Sequence, residues 1–250
     1  MNPINKILLR HVQKLIFRIL LLAVALFLYF THSEKLNFPI ILQQGFGGIF
    51  LWTVWVILVV EMLYRIFPNK SIALGARKHF SCSYSAASAV QIDVMDKTAM
   101  RGLLNKGALL SFLSWLLSSA AILFALYIFE LLTPATVLIL LLIYAVLDLA
   151  FILFFCPFQA LFMRNHCCVT CRIYNWDYFM MCAPMILFPS FYSISLVLLS
   201  LAVLLRWEIA LRKNPHFFIR RTNKNLRCEF CEDKLCRAAK NYPGCQIHNP

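Results

Sequence analysis

Residues 133–157 read TPATVLILLLIYAVLDLAFILFFCP, 25 positions with a single charged residue, Asp148. A helix needs ~20 apolar residues to cross a hydrocarbon layer about 30 Å thick, so this stretch is long enough to span a bilayer. Apolar and polar residues do not alternate along it, which argues against a transmembrane β-strand. Similar runs occupy about 15–31, 47–67 and 108–129, and a fifth, about 182–205, is as long but carries Pro184 and Pro189. A mean hydropathy of +0.73 and a charged fraction of 14% exclude an ordinary soluble domain. The fold class that follows is an all-α integral membrane protein, a polytopic helical bundle of 4–5 transmembrane helices with a cytoplasmic cysteine-rich region.

Four regions are expected on this reading. Residues 1–157 form a four-helix transmembrane region with a cytoplasmic loop at 68–107, and 158–181 a cysteine- and aromatic-rich interfacial loop. Residues 182–205 form the proline-broken fifth apolar segment, and 206–250 a basic, cysteine-rich tail. Lys6, Arg10, Lys14 and Arg18 precede the first run as in a signal peptide, but no small-x-small cleavage site follows, so a retained signal-anchor helix is expected. No lipidation motif is visible.

The net charge of +13 is explained by orientation. Lys and Arg in short loops are held on the cytoplasmic side during insertion and lie against anionic headgroups there. No helix-turn-helix or RNA-binding signature points to nucleic acid. A cytoplasmic N-terminus places the basic loop 68–107 inside and leaves 32–46 outside with Lys35 alone. The fifth run decides the rest. A full crossing puts 13 Lys and Arg inside and 11 outside, whereas a segment that enters and returns gives 23 against one. Pro184 and Pro189 favour return, because each removes a backbone donor. Against this, Ser190–Trp207 alone makes a helix of ~27 Å, almost a full span. The charge bias tips the expectation to a cytoplasmic tail in the cell membrane.

Ten cysteines are present, and seven fall in two basic stretches. One reads Cys167-Cys168-x-x-Cys171, the other Cys228-x-x-Cys231-x4-Cys236-x8-Cys245. Thiolates two residues apart can bind one small ion, and two such pairs complete a tetrahedral Zn–S4 site. Cys168, Cys171, Cys228 and Cys231 are the expected ligands, with Cys167, Cys236 and Cys245 in reserve; His166 and His248 are read as surface histidines. The same thiolates can hold an iron–sulfur cluster, so zinc and iron–sulfur both stand as cofactors. A third possibility is quinone-linked thiol–disulfide exchange, with Arg164 and Arg172 lowering a thiol pKa. If the tail lay outside, its four cysteines would instead suggest two disulfides. Lone Cys82, Cys156 and Cys182 are expected to pack as small hydrophobes.

Asp148 is the intramembrane polar candidate. A charge at that depth costs about 2.5–3.5 kcal/mol on insertion scales and needs a partner or cavity. Ser111, Ser114 and Ser118 line one side of the preceding helix, and one of them is the expected partner. Glu61 lies four residues before Arg65, near the membrane border. Tyr174, Trp176 and Tyr178 suit an interfacial belt, while Asn175 and Asp177 suit either a cap or a ligand contact. Residues 86–105 suggest an interfacial amphipathic helix. Phosphate-loop, dinucleotide and common hydrolase motifs are absent, so no catalytic residue is assigned. The function expected is a membrane-anchored metal or iron–sulfur site for electron transfer or metal handling, acting with a partner subunit or redox protein. The alternative is a transporter-like or scaffold subunit with a structural zinc knuckle.

Overall fold

The structure is a computed structural model that describes residues 3–32, 46–67, 97–163, 171–219 and 222–227. The described residues are helical or in turns. Their helices are α1 (Pro3–His32), α2 (Phe46–Ile66), α3 (Lys97–Ile128), α4 (Pro134–Leu153), α5 (Asp177–Cys182) and α6 (Phe191–Lys213). Short 3-10 turns at Arg172–Asn175, Ala183–Leu187, Pro215–Phe218 and Lys224–Leu226, and a π-helical turn at Gln159–Met163, complete them. Five of the helices are long and apolar enough to cross a membrane: the apolar parts of α1 and α3, and all of α2, α4 and α6.

Local chemistry sets the helix ends. α3 closes in a Schellman motif, with Leu131 N–H donating to the Leu126 carbonyl and Glu130 N–H to that of Tyr127. That geometry requires a left-handed residue, and Glu130 takes it with φ 56°. α4 then starts on a capping box between Thr133 and Thr136, with Pro134 in its first turn. α6 starts on a second capping box between Ser190 and Ser193. Pro184 does not break a long helix here. It sits in the first turn of Ala183–Leu187, where its missing N–H costs nothing.

α1 packs along α4, α2 along α6, and α5 against both α6 and α4. The core between them holds Leu51, Val54, Leu138, Met181, Met185, Tyr192 and Leu196. Cys182 is fully buried in it. α3 stands to one side. It meets the π-helical turn and the 3-10 turns near Arg172 and Pro215, and it touches α4 through the Ser119–Tyr144 hydroxyl hydrogen bond of 2.8 Å.

The segment from Asp177 to Lys213 is a hairpin. It descends through α5 and reverses at Phe188–Ser190 beside Trp55, about halfway along α2. There Trp55 Nε1 donates to Ser195 Oγ at 2.9 Å, and the Trp55 and Phe191 rings lie 6.3 Å apart. α6 then runs back until Glu208 reaches Arg172 and Trp176, the residues that precede α5. The segment therefore leaves and rejoins one end of the bundle. Residues 97–105 of the stretch expected to lie as an interfacial helix form the start of α3 instead; residues 86–96 lie outside the described residues.

Candidate functional site

Five carboxylates belong to the described residues: Glu61, Glu130, Asp148, Asp177 and Glu208. All but Glu130 gather at the end of the bundle where the hairpin closes. Each meets an arginine there. Arg18 of α1 donates from Nη2 to Glu61 Oε2 of α2 at 2.6 Å, and its Nη1 lies 3.3 Å from Asp148 Oδ2 of α4. The same Nη1 donates to the Ala145 carbonyl at 2.6 Å. Lys14, one turn earlier on α1, reaches Glu61 Oε1 at 3.5 Å, and Tyr178 Oη donates to Glu61 Oε2 at 3.0 Å.

Arg65, one turn beyond Glu61, faces the start of α5. It pairs with Asp177 Oδ2 at 2.9 Å and donates to Asn175 Oδ1. Its guanidinium lies 4.6 and 5.0 Å from the Tyr174 and Tyr178 ring centres, close enough for cation–π attraction. Arg172 forms the third node, donating to Asn105 Oδ1 of α3 at 2.6 Å and pairing with Glu208 Oε2 of α6 at 2.8 Å. Trp176 Nε1 donates to the other Glu208 oxygen at 2.9 Å. Arg18, Arg65, Arg172 and the exposed Lys14 thus balance four carboxylates that are largely buried, where an uncompensated charge is costly.

Several sequence-based expectations change here. Asp148 pairs with Arg18, not with a serine: Ser111 and Ser118 donate to carbonyls of their own helix, Gly107 and Trp115. It lies in the last third of α4. Glu61 turns to Arg18, Lys14 and Tyr178, leaving Arg65 to Asp177. Tyr174, Trp176 and Tyr178 line the charge nodes, and Tyr178 is buried. Asp177 Oδ1 accepts from the Tyr178 N–H in the first turn of α5, whose cap residue Trp176 makes no side-chain capping bond.

Of the seven candidate metal ligands only Cys171 is described, and it is buried just before Arg172. Cys167, Cys168, Cys228, Cys231, Cys236 and Cys245 lie outside the described residues, as do Cys82, His166 and His248. Among the described residues no group of three or more His, Cys, Asp or Glu is placed to hold a metal. The tail can nevertheless be followed to Arg227, the residue before Cys228. Its first turn packs Phe217 and Phe218 with Trp207 and Leu211, against Tyr174 and Trp176. The Trp207 and Phe218 rings are 4.9 Å apart, and Trp207 Nε1 donates to the Arg172 carbonyl at 2.5 Å. One aromatic cluster therefore ties the first turn of the tail to the residues that follow Cys171.

A cavity of about 310 Å³ lies beside the nodes. Asp148, Asp177, Cys156 and Cys171 are on its walls, together with Trp115 and Tyr144. The chain matches no known protein family, no curated protein and no solved structure.

Proposed function

We propose that this chain is an integral protein of the cell membrane that carries a thiolate-bound metal site on its cytoplasmic face, for electron transfer or metal handling. The observation that carries the reading is the aromatic cluster of Trp207, Phe217, Phe218, Tyr174 and Trp176. It holds the start of the tail against the 3-10 turn that follows Cys171, the described member of the first Cys-x-x-Cys pair. Cys168, Cys171, Cys228 and Cys231 are the ligands of this site, with Cys167, Cys236 and Cys245 in reserve. Four thiolates suit tetrahedral zinc or an iron–sulfur cluster. Orientation follows from charge: of 24 Lys and Arg, Lys35 alone falls in the segment joining the far ends of α1 and α2. A partner subunit or redox protein completes the activity in this reading.

A second reading is favoured by the charge nodes, where three arginines and a lysine match four carboxylates as in a rigid scaffold. In that case the metal is a structural zinc that fixes the tail. One preparation separates the two. Full-length protein purified anaerobically is brown with broad visible absorption if it holds iron–sulfur, and colourless with one equivalent of zinc if it is a scaffold. Under either reading Cys228→Ser lowers metal content, and an impermeant maleimide labels Cys236 only after lysis. Metal-free protein, or Cys236 labelled in intact cells, would overturn the shared site.

A further inference from the structure

The cavity is walled by α3, α4, the turn after α4 and the residues from Cys171 to Met181, and the register of α3 against α4 fixes which of their groups share a depth in it. The two helices are antiparallel neighbours joined at residues 129–133, and Ser119 bonds Tyr144 across them. Trp115, one turn before Ser119, therefore lies at the depth of Asp148, one turn after Tyr144. Both line the cavity, whose other walls are largely apolar and aromatic, including Phe151 and Phe158. A volume of about 310 Å³ is at the small end of ligand sites, which run from ~300 to 1,000 Å³. It suits one ring with short substituents.

Two hydrogen-bonding valences at this depth are unused. Trp115 is 8% exposed, and its indole Nε1–H is buried without an acceptor among the described residues. Asp148 meets Arg18 through Oδ2, and among the described residues its Oδ1 has no hydrogen-bond donor. The neighbouring polar groups are already engaged: Tyr144 with Ser119, and Asp177 with Arg65 and the Tyr178 N–H. A buried donor left unmatched calls for a missing acceptor, and the carboxylate calls for a donor.

We propose that this cavity binds a phenol- or hydroquinone-type molecule, an apolar ring whose hydroxyl groups donate to Asp148 and accept from Trp115. A hydroxyl is donor and acceptor at once, so it answers both requirements. A lipophilic ammonium would satisfy Asp148 and leave the indole N–H unmatched. A quinone carbonyl would accept from Trp115 but set an oxygen lone pair against a carboxylate. The site thus distinguishes the reduced ring from the oxidised one. Its two hydrogen-bonding groups, Asp148 and Trp115, are not among the proposed metal ligands, of which Cys171 is on the cavity wall.

The test uses full-length protein in nanodiscs, kept anaerobic, with trimethylhydroquinone as probe and protein-free nanodiscs to subtract partitioning. Its dimethyl ether keeps the ring and removes both donors, and trimethylquinone tests the oxidised form. Saturable binding of the hydroquinone is expected, about tenfold tighter than either analogue, from one or two hydrogen bonds. Trp115→Phe should weaken the hydroquinone about threefold to tenfold and leave the ether unchanged. This variant removes an N–H with no acceptor among the described residues, so the fold keeps its hydrogen bonds. Leu20→Ala, an exposed position on α1, should change nothing. Equal binding of hydroquinone and ether, tighter binding of the quinone, an unaffected Trp115→Phe variant, or no saturable binding would each overturn the assignment.

Discussion

Replacing Arg18 with methionine keeps an apolar stem of similar girth and removes the cation that joins α1, α2 and α4. The three acceptors it leaves do not suffer equally. Glu61 keeps Lys14 at 3.5 Å and the Tyr178 hydroxyl at 3.0 Å. The Ala145 carbonyl remains within its own helix. Asp148 has no other hydrogen-bond or ion-pair partner among the described residues, and its side chain is 16% exposed. Breaking a buried pair by removing one partner costs ~3–5 kcal/mol, and an unpaired aspartate deep in a bilayer costs ~2.5–3.5 kcal/mol. Because only one of two carboxylates is orphaned, the expected loss is ~3 kcal/mol, in the overlap of those ranges. Reversible unfolding in mixed micelles, followed by circular dichroism, measures it. Adding Asp148→Asn removes the orphaned charge and should recover more than ~1 kcal/mol, a coupling that independent sites do not show. Arg18→Met within ~0.5 kcal/mol of the parent, or a double variant whose effects simply add, would refute the reasoning.

The same unfolding assay checks three other positions. Glu130→Gly should stabilise by ~1 kcal/mol, because the left-handed position that closes α3 favours glycine. Gly107→Ala should destabilise by ~1–3 kcal/mol: a Cβ there would sit 2.8 Å from the Phe162 carbonyl oxygen, which is backbone and cannot swing aside. Trp207→Ala should cost ~3–5 kcal/mol. It should also expose Pro215–Arg227 to limited proteolysis, while Phe191→Ala at the opposite end of α6 should leave that cleavage pattern unchanged.

The apolar runs were legible because length and hydropathy act locally, and their ends were legible wherever a capping residue stood beside them, as at Thr133 and Ser190. The partners of the buried charges were not. Arg18 resembles any cation flanking a first apolar run, and its burial follows from the rotation of α1 against α4, which no local pattern encodes. Ser111, Ser114 and Ser118 follow helical spacing well, yet the hydroxyl that crosses to α4 is Ser119. Glu208 offered a signal that went unused: it is the first carboxylate after Asp177, at the tail's border beside Arg206 and Trp207. A single acid in a basic stretch next to an apolar run is a plausible mate for a stranded arginine. The reversal at Phe188–Ser190 was only half visible, because prolines announce a break but not the direction the chain then takes.

The Arg18 node also imposes a timetable on biosynthesis. Its first carboxylate is made 43 residues after it and its second 130 residues after it. A nascent chain that has released only α1 carries a guanidinium with nothing to neutralise it. Full neutralisation of Arg18 therefore waits until α4 has been made and has packed along α1.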